Sequence, residues 1–362
     1  MICVIYGTRP EFIKMVPLIK EFKKRHIPLK VLSTGQHESM LNELYELFEI
    51  FPDDDLALWK QSSSLAELNG ILIPSLFNYF NKIKIKHVFV QGDTATTFCS
   101  AYAGFLLKSK IYHLEAGLRT YNKYSPWPEE INRKLVGSIA DVHFCATSLN
   151  LNALLKEGID KSKCIEVGNT VIDAVQFISN QGIDSKLINK FRRITKKRYI
   201  LVTGHRRENW GDGISQMCDA LKLISKRLQD FHIIFCCHPN PTVREQISEI
   251  LENQNNIFLY GPQRYDVFIH LLKNASLIIS DSGGIQEEIT ALGKRMIITR
   301  NTTERQEAIN SGHAILSGTE PNQIYADAIR LIEEDKMMGD VSPFGAGDTA
   351  ARIVDYFESK CS

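Results

Sequence analysis

Leu277-Ile278-Ile279-Ser280-Asp281-Ser282-Gly283-Gly284-Ile285-Gln286-Glu287-Glu288 reads as a strand, a glycine turn and the opening of a helix. The apolar run is too short for a helix and is β-branched, which favours a strand, and acids in a first turn suit a helix N-terminus. A strand that feeds straight into a helix belongs to a β-α-β crossover, and that unit builds parallel sheets. The paired glycines let backbone approach a pyrophosphate, Ser282 offers a hydroxyl, and the helix start favours negative charge. Glu288, or Glu287 beside it, suits the donor hydroxyls of a ribose. A helix capped by Ser explains the acids but leaves the paired glycines without a reason.

Similar short runs recur outward in both directions, at 2–6, 29–32, 88–91, 111–113, 142–145, 199–202, 233–236, 257–260 and 296–298, with helical stretches between them. The fold class that follows is α/β with two parallel sheets. Across 213–228, Ile214, Met217, Leu221, Ile224 and Leu228 fall at steps of three and four, which predicts a helix with one buried stripe. The segment 179–198 turns polar and ends in Lys196-Lys197-Arg198 before a fresh strand, which marks the start of a second domain. The hinge is placed near 169–178. The expected domains are 1–170, with a last helix near 349–362 able to pack back on it, and 171–348.

Composition narrows the function. The chain has 362 residues, enough for two cores, and 44% of them are hydrophobic and 23% charged, a globular balance. With 43 Lys and Arg against 42 Asp and Glu, bulk charge draws it neither to nucleic acid nor to an anionic membrane, so any anion it binds meets a local site. No run reaches the roughly 20 apolar residues of a membrane span, and the first residues read as a strand, so a cytoplasmic location is expected. The 8 cysteines show no C-x-x-C pair and are read as packing residues, and no histidine spacing marks a metal site.

The polar clusters after predicted strands are where an open α/β sheet binds ligands. Gly7-Thr8-Arg9-Pro10-Glu11 follows the first strand, with Lys14 a turn later; Arg9 is a two-pronged donor for phosphate or an ordinary surface arginine. Gln91-Gly92-Asp93-Thr94 ends another strand. His113-Leu114-Glu115-Ala116-Gly117-Leu118-Arg119 and Ser125-Pro126-Trp127-Pro128-Glu129-Glu130-Ile131-Asn132-Arg133 place further acids and arginines close by. Carboxylates in differing environments suit proton abstraction and return, and salt bridging among Glu115, Arg119, Glu129 and Arg133 is the plainer alternative. Gly204-His205-Arg206-Arg207-Glu208-Asn209 and His238-Pro239-Asn240-Pro241 end strands of the second domain, where histidine and arginine suit a diphosphate. Gly345-Ala346-Gly347 has the spacing of a dinucleotide fingerprint but no strand before it, so no nicotinamide cofactor is expected.

Together with Gly168-Asn169-Thr170 and Thr302-Thr303-Glu304-Arg305, these motifs resemble, in order and over almost the whole chain, the non-hydrolysing UDP-N-acetylglucosamine 2-epimerases. The resemblance implies two Rossmann-like domains facing across a cleft, as in the GT-B glycosyltransferases, and a homodimer. It implies catalytic roles for Asp93, Glu115, Glu129 and His205. It implies substrate or UDP contacts for Arg9, Lys14, Arg133, Arg206, His238, Ser282, Gly283, Gly284, Glu288 and Arg305, with no cofactor. The reaction implied is reversible conversion of UDP-GlcNAc to UDP-ManNAc by elimination and re-addition of UDP, serving surface polysaccharide. Arg9-Pro10 argues for the non-hydrolysing branch. Departures exist: Gln36-His37 is followed by Glu38-Ser39, with Ser62 at the position of an arginine linked to activation by substrate. Pro343-Phe344-Gly345 and Arg300-Asn301-Thr302 also differ from the family pattern and leave room for a modified sugar such as a diacetamido uronic acid. The rival readings are a hydrolysing epimerase, a GT-B glycosyltransferase, which needs no proton shuttle at C2, and a nucleotide-sugar sensor.

Overall fold

The structure, a computed structural model, describes residues 1–35, 38–62, 64–204, 212–336, 338–339 and 342–361. The chain divides into two compact units, Met1–Ala174 with the segment from Phe344 onward, and Val175–Pro343. The boundary falls inside one helix, Thr170–Gln181.

In the first unit β1 (Ile2–Tyr6), β2 (Leu29–Ser33), β3 (Asp54–Asp55), β4 (His87–Gln91), β5 (Lys110–Ala116), β6 (Val142–Cys145) and β7 (Cys164–Glu166) form a sheet in the order β3-β2-β1-β4-β5-β6-β7. All its pairings are parallel. The central strands are apolar on both faces because helices cover both. Phe89 and Tyr112, on neighbouring strands, stack with centroids 4.4 Å apart. The last helix, Thr349–Cys361, brings Phe357 edge-on to Phe22 and Phe89, and Arg25, which caps the C-terminus of the helix Arg9–Lys24, pairs with Asp355 at 2.5 Å.

In the second unit β8 (Tyr199–Thr203), β9 (His232–Cys236), β10 (Ile257–Tyr260), β11 (Leu277–Ser280), β12 (Met296–Ile298) and β13 (Ala314–Leu316) run parallel in the order β10-β9-β8-β11-β12-β13. The predicted stripe of Ile214, Met217, Leu221, Ile224 and Leu228 is buried in this unit's core, on and just past the helix Asp212–Arg227. The expected α/β class with two parallel sheets is what the structure shows.

The sequence reading passed over β3, β7 and β13, and each is a strand of two or three residues at a sheet edge. The Gly345-Ala346-Gly347 segment is a loop, and Gly345 lies against Gly168 of the first unit. The seven cysteines with described side chains are buried free thiols. Among the described residues no helix is long and apolar enough to cross a membrane, and no cluster of His, Cys, Asp and Glu has the arrangement of a metal site.

Candidate functional site

Strand order fixes where the site residues emerge. In the first sheet the order reverses between β1 and β4, and in the second between β8 and β11. Ligands of open α/β sheets bind beyond the carboxyl ends of strands at such a reversal. The turns that follow β1, β4 and β11 are those carrying Arg9, Asp93 and the Ser282-Gly283-Gly284 group, and His205 follows β8 in the sequence. His205 and Arg206, like Gln36-His37, lie outside the described residues.

After β1 the helix Arg9–Lys24 begins with a capping box in which the Thr8 side chain accepts from Glu11 N. Glu11 Oε2 in turn accepts the N–H of Gly7 at 3.0 Å and of Thr8 at 2.7 Å. The N–H groups of Gly7 and Thr8 at this turn are therefore engaged by Glu11. Lys14 is buried one turn on, and its Nζ donates to Glu115 Oε2 at 2.5 Å.

Glu115 sits near the end of β5 with φ 58°, a conformation a non-glycine residue rarely adopts. The register of β5 against β6 shifts between Leu114 and Ala116, so Glu115 occupies a bulge. Bulges re-aim side chains, and strained backbone concentrates at functional sites. Here the re-aimed carboxylate is held by Lys14 and by Gln91 Nε2, which donates to the same oxygen from the adjacent strand.

Asp93, two residues past β4, binds Arg133 through one oxygen, with Arg133 Nη2 at 2.6 Å and Nε at 2.8 Å. Arg133 also donates to the fully buried Glu130 at 3.1 Å, and Asn132 Nδ2 donates to the Asp93 carbonyl at 2.8 Å. Glu129 opens the helix Glu129–Ile139 that carries these groups, which brings the start of that helix beside the Asp93 turn. Arg133, expected to contact substrate, is thus buried between Asp93 and Glu130. The salt bridges considered from sequence form with other partners: Arg119 pairs with Glu157 at 2.8 Å, and Glu115 pairs with Lys14. His113, buried, engages the Gly92 carbonyl through Nε2 at 2.8 Å, and burial drives its pKa down to about 3, so it is a neutral prop under the Asp93 turn.

In the second unit the helix Gly283–Ala291 is preceded by Ser282, whose hydroxyl does not cap it. A side chain at Gly283 would meet Arg305 Nη1 at 2.6 Å, whereas the space over Gly284 is open. Arg305 is buried and donates to Glu287 Oε1 at 2.8 Å and to Glu304 Oε1 at 2.5 Å, with Arg300 3.2 Å from the other Glu304 oxygen. Arg305 therefore underlies the glycine turn in an ion network. Glu288 accepts from Tyr265 Oη at 3.0 Å. His238 Nδ1 accepts from Asn240 N at 3.1 Å, so its neutral ring carries the proton on Nε2, a donor. Sequence reasoning missed Glu11, Gln91, Glu130, Glu287 and Glu304 as supports; for Glu11 the Thr8-x-x-Glu11 spacing was the available signal.

The family model described as UDP-N-acetylglucosamine 2-epimerase matches residues 20–358. A UDP-N-acetylglucosamine 2-epimerase of Campylobacter jejuni is 39% identical, with 98% of this chain and 96% of that protein covered. The crystal structure of UDP-GlcNAc 2-epimerase from Neisseria meningitidis bound to UDP-GlcNAc superposes with a TM-score of 0.93, at 38% identity and 99% coverage of both chains. A glycosyltransferase from Rickettsia africae shares the fold alone, with a TM-score of 0.63 at 15% identity. Motif order, strand topology and both full-length likenesses converge, and the chain belongs to the UDP-N-acetylglucosamine 2-epimerase family.

Proposed function

We propose that this chain interconverts UDP-GlcNAc and UDP-ManNAc without hydrolysing either. One observation carries the reading: the bulged Glu115, held between Lys14 and Gln91, beside the strand that leads to Asp93, in a chain alike over 99% of its length to a relative bound to UDP-GlcNAc. C2–H of the sugar has no adjacent carbonyl and resists direct deprotonation. Breaking the C1–O bond to UDP first makes C1 oxocarbenium-like and acidifies C2–H. A carboxylate among Asp93, Glu115 and Glu129 takes that proton, leaving 2-acetamidoglucal and UDP. Return of a proton to the opposite face of C2 and re-addition of UDP at C1 give the inverted centre.

The departing diphosphate is assigned to Arg9, His205, Arg206, His238 and the Ser282-Gly283-Gly284 turn, as preorganised donors aimed at developing charge. Glu288 is assigned to the ribose. The enzyme works in the cytoplasm, feeding ManNAc-type sugars to surface polysaccharide. A homodimer is supported by an exposed aromatic row, Tyr102 and Phe105 stacked in line with Phe98, with Ile131 and Leu135 also exposed on the helix packed against it.

Proton NMR of UDP-GlcNAc incubated with the protein in D2O tests the reaction. UDP-ManNAc bearing deuterium at C2, with no build-up of free sugar, supports it. Free ManNAc with UDP establishes the hydrolysing reaction instead, and an unchanged spectrum directs the search to a modified UDP-sugar.

A further inference from the structure

Glu11 is only 2% exposed, so it meets no substrate, yet four groups converge on its carboxyl. The N–H of Thr8 reaches Oε2 at 2.7 Å, as in any capping box, and the N–H of Gly7 joins it at 3.0 Å. The hydroxyls of Thr94 and Thr97 reach Oε1 at 2.5 and 3.0 Å, and a helix cap has no need of them. Thr94 directly follows Asp93, and the Thr97 hydroxyl also lies 2.6 Å from the Gln91 carbonyl. One side chain thus holds the turn that leads to Arg9 and meets the residues that follow Asp93, with Thr97 linking it to the Gln91 end of that turn.

The sheet gives a reason for such a tie. The β1–β4 pairing registers Ile2–Val4 against His87–Phe89, short of the ends of both strands at Tyr6 and Gln91. Beyond that register the two turns leave neighbouring strands at the point where strand order reverses. Glu11 bridges them there.

We propose that Glu11 is a positioning residue that fixes the Arg9 turn against the Asp93 turn, setting the diphosphate anchor at a constant distance from Asp93, one of the three carboxylates assigned to proton transfer. This rests on the roles assigned to Arg9 and Asp93 above. The bridge needs length and hydrogen-bond sites and does not need charge. In Glu11→Gln the amide oxygen accepts the two backbone N–H groups, and the NH2 donates to the two threonine oxygens. Glu11→Asp is one methylene too short to reach both turns. Thr97→Val cuts one strut and leaves the capping box intact.

The test measures kcat, UDP affinity and amide hydrogen exchange over residues 91–97 in these three variants. Misplacement on the order of 1 Å costs about a hundredfold in rate, so Glu11→Asp and Thr97→Val should lose up to about a hundredfold in kcat. UDP affinity should stay within about threefold, because the loss falls on the reacting geometry. Exchange over 91–97 should quicken in both, and Glu11→Gln should match wild type in all three readouts. The proposal is overturned if Glu11→Asp and Thr97→Val leave exchange over 91–97 unchanged, or if a well-folded Glu11→Gln is as inactive as Glu11→Asp. Exchange needs no substrate, so a wild-type protein that leaves UDP-GlcNAc untouched would sink the reaction while the tie is still decided.

Discussion

Lys14 Nζ donates to Glu115 Oε2 at 2.5 Å, with both side chains less than a tenth exposed. A pair so withdrawn from water is expensive to break, because the surviving charge loses its counter-ion. Lys14→Met keeps the stem and removes the charge, and is expected to cost about 3 kcal/mol of stability. Glu115→Gln sets an amide donor against the ammonium and should lower kcat at least about a hundredfold while UDP binding holds. Thermal melts of the two single variants and the double variant form a cycle. The double variant should be less destabilised than the sum, since no lone charge remains.

Arg133 separates two accounts of the Asp93 turn. If it contacts UDP, Arg133→Lys should weaken UDP binding in proportion to the loss of activity. Its two donors on one Asp93 oxygen, with Glu130 behind, indicate that it orients the carboxylate. Lysine cannot supply both bonds at once. The expected result is a kcat lower by about tenfold or more with UDP affinity within about twofold, read by calorimetry beside steady-state kinetics.

The parallel sheets and the turns after β1, β4 and β11 were legible in the sequence because their strands are apolar on both faces and are followed at once by Gly or Asp. The edge strands β3 and β7 were not, because each is two or three residues with acids in place of an apolar run: β3 is simply Asp54–Asp55 and β7 is Cys164–Glu166, while β13 is apolar but only three residues long. The site acids could be listed from sequence, but their partners could not. Lys14 meets Glu115 across 101 residues and Thr94 meets Glu11 across 83, separations that only the sheet order brings together. For the same reason the buried placement of Arg133 and Arg305 was hidden: an arginine beside acids reads alike whether it faces a ligand or a carboxylate beneath one.

Gly283 and Gly284 should respond differently to the same added methyl. At Gly283 it would lie 2.6 Å from an Arg305 guanidinium that Glu287 and Glu304 hold in place, so the side chain cannot simply swing aside. Gly283→Ala is expected to cost about 2 kcal/mol through overpacking and to weaken UDP binding with it. At Gly284 nothing lies within 4 Å, and alanine favours a helix over glycine by about 1 kcal/mol, so Gly284→Ala should melt no lower than wild type. If the diphosphate occupies that open space, its UDP affinity should nonetheless fall. Melting curves with and without UDP separate the two effects.

Acid should destabilise this fold through its buried histidines, with one carboxyl opposing them. Burial lowers His113 to about 3 and His143 to about 4, so below an unfolded pKa of 6.5 the unfolded chain takes up protons that the folded chain refuses. Stability from these two is whole above pH 6.5 and declines as pH falls toward 4, by about 1.4 kcal/mol per pH unit for each proton. Asp173 works in the other direction. Burial, partly offset by the N–H of Ala350, raises it to about 6, so between its unfolded pKa of 3.8 and about 6 the folded chain holds the extra proton and acid favours folding. His113→Gln should therefore flatten the fall in stability between pH 6.5 and 4. Asp173→Asn should steepen it below pH 6 and raise stability at pH 7, where the buried carboxylate is charged. Urea titrations at half-unit pH steps check both slopes. If His113→Gln leaves the acid limb unchanged, His113 does not carry this pH dependence.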